Sequence, residues 1–178
     1  YTGIPVGNTN DLILQLLEWI RDDKKITELK ALQGMVWEKG YQQEEYQAHI
    51  YADVPPKLQE WFDLGINLYV YSSGSEKAQR LFFRYSDAGD LRLLFAGYFD
   101  TTFGPKRDKL SYRNIAEAIA LPAEKVMFLS DTGEELDAAM EAGMRTTWLV
   151  RPKDSPLDPY KLKTPHPVAR DFNEIKIE

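Results

Sequence analysis

The stretch Val126-Met127-Phe128-Leu129-Ser130-Asp131 is an apolar run that stops on an aspartate, and Thr132-Gly133-Glu134-Glu135-Leu136-Asp137-Ala138-Ala139 follows it directly. A short apolar run closed by polar residues reads as a strand, and the spacing after it reads as a helix from about Glu134 to Ala142, stopped by Gly143. In an open α/β sheet, ligands gather at the carboxyl ends of the strands, so Asp131 is placed to hold a metal or a reacting group. A second run, Ile66-Asn67-Leu68-Tyr69-Val70-Tyr71, ends in the same way on Ser72-Ser73-Gly74-Ser75. Hydroxyls and free backbone N–H groups at the start of the next helix suit a phosphate. Between the two runs lies Lys106, in Gly104-Pro105-Lys106-Arg107, just ahead of another predicted helix. Serine, lysine and aspartate in that order read as phosphate grip, charge neutraliser and metal ligand.

Working outward, Leu12, Ile13, Leu16, Leu17 and Ile20 recur at helical spacing from about Asn10 to Asp22, with Asn10 or Asp11 as candidate cap. Ile26, Leu29, Leu32, Met35, Val36 and Trp37 continue the pattern to a stop near Gly40, followed by a short piece from Tyr41 to His49. From Pro55 the pattern changes. A helix holding Leu58, Trp61 and Phe62 ends at Gly65, the Ile66 strand follows, and then a helix runs from Ser75 to about Tyr85. A short strand around Tyr98-Phe99-Asp100-Thr101, a helix from about Leu110 to Ala120, the Val126 strand and a strand Thr146-Thr147-Trp148-Leu149-Val150 complete the alternation. Such alternation implies βαβ crossovers and a parallel sheet. The segment from Arg151 to Pro167, rich in proline and charge, reads as a surface loop, with Val168 to Phe172 returning as an edge strand.

Composition narrows the function classes. A chain of 178 residues is the usual size of one domain with room for a small accessory unit, and a hydrophobic fraction of 43% supports an ordinary core. The formal charge of −6 carries no footprint of nucleic-acid binding. The absence of cysteine excludes disulfides and thiolate chemistry and fits a reducing cytoplasm. No apolar run approaches the roughly 18 to 20 residues that span a bilayer. A cytoplasmic protein without membrane or nucleic-acid partners is expected, and a monomer. The chain opens on Tyr1-Thr2-Gly3-Ile4-Pro5-Val6-Gly7 without an initiator methionine, which reads as a fragment or a processed chain.

Each candidate also has an ordinary structural use. Serines 72, 73 and 75 with Gly74 make turns and caps, Asp131 after a strand is a common N-cap, Glu135 and Asp137 suit a solvated helix face, and Lys106 alone reads as a surface charge contributing little to the core. Trp19, Trp37, Trp61 and Trp148 lie in periodic apolar segments and read as packing residues. His49 and His166 lack a second histidine at metal-ligand spacing, so a histidine zinc site is not expected. Nucleotide loops and the serine-hydrolase elbow are missing. What favours a site is coincidence: three suitable groups at one edge of one predicted sheet, together able to neutralise and grip a phosphoryl group.

Five segments resemble the haloacid-dehalogenase superfamily, and within it the enolase-phosphatase (acireductone synthase) family of methionine salvage. They are Leu29-Lys30-Ala31-Leu32-Gln33-Gly34 with Trp37; Leu68 through Ser75; Gly97-Tyr98-Phe99-Asp100-Thr101; Lys106 with Ser111-Tyr112-Arg113-Asn114-Ile115-Ala116; and Phe128-Leu129-Ser130-Asp131 with Glu135-Leu136-Asp137-Ala138-Ala139. The resemblance implies a Rossmann-like core over residues 54–178 and a small helical cap in residues 1–53. It implies that Ser72 and Ser73 bind substrate phosphate, that Lys106 serves phosphate and the charge developing in transfer, and that Asp131 holds one Mg²⁺. Glu135 matches the second acid of the last motif, with a role in orienting the lysine or the metal shell. The implied reaction is enolisation of 2,3-diketo-5-methylthiopentyl-1-phosphate and removal of its phosphate to give the acireductone. The superfamily's first strand, ending on an Asp-x-Asp/Glu-Gly-Thr-type motif with the nucleophile, has no counterpart in these residues. A sheet without its central strand, and a stretch ahead of Tyr1, are therefore expected.

Two other functions compete. A receiver-like signalling module uses a similar kit but places its aspartate before the hydroxyl and lysine, whereas Asp131 comes last. A catalytically inactive fragment or binding domain would explain the missing nucleophile motif.

Overall fold

The computed structural model describes residues 8–22, 24, 26–43, 46–158, 161 and 163–177. The opening Tyr1 to Gly7 lies outside the described residues, as do parts of the Tyr41–His49 piece and of the Arg151–Pro167 loop. The chain divides into two compact units, residues 1–46 and 47–178.

The first unit holds two helices, α1 (Thr9–Arg21) and α2 (Thr27–Gln42). Asn8, not Asn10 or Asp11, caps α1, its side chain accepting the Asp11 N–H. The stripe that predicts α1 is present but stays open: Leu12, Ile13, Leu17 and Ile20 are all exposed. Helix α2 continues past Gly40, a glycine because the Tyr46 ring occupies the place a Cβ would take.

The second unit follows the alternation: α3 (Val54–Asp63), β1 (Leu68–Tyr71), α4 (Glu76–Arg84), β2 (Phe95–Phe99), α5 (Lys109–Ala118), β3 (Met127–Ser130), α6 (Gly133–Glu141), β4 (Arg145–Leu149) and β5 (Val168–Ala169). Every pairing is parallel, β1 with β2 and β3–β4–β5 in that order. Among the described residues β1 and β3 each have a ladder partner on one edge alone, so the strands form two half-sheets. That is the arrangement expected of this sheet without its central strand. Strand β2 starts earlier than expected, at Phe95, and stops at Phe99, where Asp100 accepts the Thr102 N–H and begins a short 3₁₀ turn.

Side chains of β3 alternate between two cores, as the period-two pleat requires. Met127 and Leu129 pack against the core that holds Leu58 and Trp61 of α3. Phe128 packs on the other face with Tyr112 and Ala116 of α5 and Ala138 and Ala139 of α6. Leu136 and Ala139 are wholly buried, and burying a leucine stabilises a fold by about 1.5–3 kcal/mol. Helices thus cover both faces and leave the carboxyl ends of β1 and β3 for chemistry.

Asp53 ties the start of this unit to its end. Its carboxylate takes a bidentate bond from Arg151, at 2.9 and 2.8 Å, and accepts the Phe172 N–H at 2.8 Å. So engaged, it makes no side-chain cap bond to α3, whose first turn is opened instead by prolines. Burial pushes the Asp53 carboxyl up, but the Arg151 bond and charge together with the Phe172 N–H outweigh it and hold it below its ordinary value. A depressed acid stabilises the fold above the unfolded-state pKa, about 3.9, and that contribution disappears as pH falls through the lower folded value. Both side chains are about five-sixths buried, so Asp53→Asn is expected to cost about 3 kcal/mol. Urea unfolding at neutral pH should show this loss, with the difference from wild type shrinking once pH is taken below the ordinary carboxylate range.

Candidate active site

At the end of β3, Ser130 and Asp131 diverge in role. The Ser130 hydroxyl, buried, donates to Glu135 Oε2 at 2.8 Å and accepts the Thr132 N–H at 3.1 Å, folding the chain into α6. Thr132, rather than Asp131, is the helix N-cap residue, and it makes no side-chain cap bond. The Asp131 carboxylate is therefore not used to start the helix. It is exposed and accepts the Thr132 hydroxyl at 3.2 Å. Its backbone carbonyl accepts the Trp148 indole N–H at 3.1 Å. The indole ring lies against Gly133, where a Cβ would come within 2.8 Å of Trp148 Cη2. Trp148 is thus more than a packing residue: it holds the backbone of the candidate metal ligand.

Lys106 is not a surface charge. Its ammonium pairs with Glu135 Oε2 at 2.6 Å, and the two side chains are only 24% and 13% exposed. It also lies 5.9 Å from the centre of the Tyr71 ring and 6.0 Å from that of Phe128. Such partial desolvation strengthens what the cation does to an anion beside it. Glu135, read as orienting the lysine or the metal shell, is paired with the lysine. Glu135 Oε2 is shared between Lys106 and Ser130, so the cation is anchored to the residue next to Asp131.

Ser72 and Ser73 follow β1. The Ser72 hydroxyl accepts the Gly74 N–H at 3.2 Å, and the Ser72 N–H donates to Phe99 O of the neighbouring strand at 3.1 Å. Ser75 caps α4 by accepting the Ala78 N–H, the ordinary structural use. The Glu76 N–H goes to Asp100 Oδ2 at 3.2 Å. These N–H groups, expected to be free for phosphate, are engaged within the protein. Gln79, buried, secures the loop from beneath by donating to Gly74 O at 2.9 Å and Phe99 O at 2.8 Å.

Among the described residues Ser72, Lys106 and Asp131 reach one end of the strands through their neighbours: Tyr71 beside Ser72 underlies Lys106, and Ser130 beside Asp131 shares its acid. Sequence reasoning missed Ser130, Gln79, Asp100 and Trp148 as supports, because their partners lie on other elements. Ser130, Asp100 and Trp148 carry a signal in lying at or beside a strand end, whereas Gln79, inside α4, carries none. Of the remaining tryptophans, Trp61 is core while Trp37 is 44% exposed. His166, buried, lies between Thr146 at 2.8 Å and Asp137 at 3.0 Å and is structural. No group of three or more acid, histidine or cysteine residues that could cage a metal occurs among the described residues. In the same set, no helix is long and apolar enough to cross a membrane.

No family model matches the chain. Enolase-phosphatase E1 of Alcanivorax borkumensis is 50% identical over 176 residues, spanning 99% of this chain and 75% of that protein. Its counterpart in Pseudomonas aeruginosa is 53% identical over 177 residues, 99% and 76% respectively. The solved structure of the UTR4 protein from Saccharomyces cerevisiae matches with a TM-score of 0.83 and 34% identity over 96% of this chain and 77% of that one. The L-2-haloacid dehalogenase RSc1362 shares the fold alone, with a TM-score of 0.60 at 19% identity over 74% of this chain and 56% of its own. Identity of this depth over nearly every residue, on a parallel α/β scaffold shared with the dehalogenases, means that the chain belongs to the enolase-phosphatase E1 family of the haloacid-dehalogenase fold.

Proposed function

We propose that this protein is the Mg²⁺-dependent phosphohydrolase of methionine salvage that enolises 2,3-diketo-5-methylthiopentyl-1-phosphate and removes its phosphate to give the acireductone, acting in the cytoplasm as a monomer. The observation that carries the reading is the half-buried Lys106–Glu135 pair at the end of β3, beside an exposed Asp131 that caps no helix. A cation so held stabilises phosphoryl charge without reorganising during the reaction. The Ser72 hydroxyl, with Ser73 next to it, hydrogen-bonds the phosphate oxygens. Lys106 balances their charge, and Glu135 keeps its ammonium in place. The attacking carboxylate of the superfamily motif has no counterpart in these residues, and no residue of this chain is assigned that step.

The residues present fit Mg²⁺. One carboxylate at a strand end, with water and phosphate oxygens completing the shell, is how this ion is commonly held, whereas a caging cluster would suit calcium or zinc better. Asp131 would hold the ion, which when bound supplies charge neutralisation at the phosphate. Residues 1–53, with helices α1 and α2, are proposed as part of the cap. The test is phosphate release from the diketone phosphate by the full-length protein. Release that stops on chelation and returns with Mg²⁺ is expected, and equal release after chelation would sink the metal assignment.

A further inference from the structure

The turn that carries Lys106 is held in an unusual way. Three consecutive carbonyls each accept a side-chain hydroxyl: Gly104 O from Tyr71 at 2.8 Å, Pro105 O from Ser111 at 2.8 Å, and Lys106 O from Tyr112 at 2.6 Å. The donors come from the last residue of β1 and the first turn of α5. Ser111 and Tyr112 are each 1% exposed. A peptide flip anywhere in the turn would leave a buried hydroxyl and a carbonyl without partners, which folded proteins rarely tolerate. Gly104 sits at φ +121°, where side chains are strained, and a Cβ there would run into Ser111 Oγ. Turn and donors are thus built for one another. Burial pushes both tyrosine phenols up, so they remain donors throughout the working pH range.

We propose that Tyr71, Ser111 and Tyr112 are positioning residues for Lys106, their hydroxyls locking the Gly104-Pro105-Lys106 backbone so that the ammonium is presented from Glu135 in a single geometry. The proposal rests on Lys106 being the phosphate-neutralising cation. The same tyrosines belong to an aromatic cluster with Phe128, with ring centres 5.6 Å apart for Tyr71–Tyr112 and 4.9 Å for Tyr112–Phe128. A purely packing role is the competing explanation. Tyrosine-to-phenylalanine replacement separates the two, because it keeps the ring and deletes only the donor.

The experiment uses the full-length enzyme and the variants Tyr71→Phe, Tyr112→Phe and Lys106→Ala. Melting temperature, kcat and KM are measured for each, and the Lys106 ammonium resonance is followed by ¹⁵N NMR in the first two. Positioning predicts folded tyrosine variants whose kcat falls about tenfold while KM stays within about twofold, because a small misplacement of a catalytic group chiefly affects the reacting state. It also predicts an ammonium signal broadened by faster exchange with water. If Tyr112→Phe fails to fold, Tyr71→Phe decides. Wild-type kcat and an unchanged ammonium signal in folded tyrosine variants, with Lys106→Ala inactive, would overturn the positioning role while leaving Lys106 its function. Wild-type turnover in Lys106→Ala would remove the role of Lys106 itself, and the proposal with it.

Discussion

Replacing Lys106 with alanine is expected to lower turnover of the diketone phosphate by about 100- to 1,000-fold, the range for losing one preorganised electrostatic contact to a transition state. The structure alters the companion expectation that a loop lysine matters little to the fold. Glu135 is 13% exposed and, among the described residues, would keep only the Ser130 hydroxyl as partner. An acid stranded in that way destabilises the protein, so Lys106→Ala should also melt several degrees lower. Adding Glu135→Gln removes the stranded charge. The double variant should therefore recover most of the melting temperature and none of the activity. Steady-state kinetics beside thermal melts of wild type, single and double variants check this directly. Activity that returned together with stability would mean that the lysine acts through the fold alone.

The second large effect is expected at Asp131. Asp131→Asn keeps the size of the side chain and its contact with the Thr132 hydroxyl while deleting the charge. Groups behind a metal's ligands typically contribute 10- to 100-fold, so loss of the carboxylate itself should weaken the Mg²⁺ response by more than about 100-fold. Stability should hardly change, since the side chain is exposed and caps no helix. Calorimetric titration with Mg²⁺ and activity at rising Mg²⁺ provide the two readouts. An unaltered Mg²⁺ response would return Asp131 to an ordinary turn residue.

Much of the site was legible because each strand that bears it is a short apolar run broken by a polar residue. Ser72 and Asp131 could be placed at strand ends on that contrast alone. Strand β2 was harder: Ala96 and Gly97 interrupt the alternation, and Gly97 is small because the Tyr69 ring packs where a Cβ would stand, 3.2 Å from its nearest atom. Pattern reading therefore started that strand late. The serine loop reads as a turn with a cap, which it is, but its N–H groups read as free because Asp100 and the Phe99 carbonyl approach from other elements.

By itself the sequence determined the βα alternation, the parallel sheet, and the residue types at the strand ends, because all three follow from local hydrophobic period and from where it breaks. It also carried the family motifs, which need only order and spacing. Tertiary structure alone decided that Lys106 is a half-buried cation on Glu135, 29 residues away, and that Trp148 holds the Asp131 carbonyl across 17. It likewise decided that Arg151 reaches back 98 residues to Asp53. These pairings depend on which side chains the closed chain brings within hydrogen-bond distance, and on the water excluded when it does so. A directional contact of that kind leaves no period in the sequence, yet it sets the charge, orientation and desolvation through which the same residue types become a site.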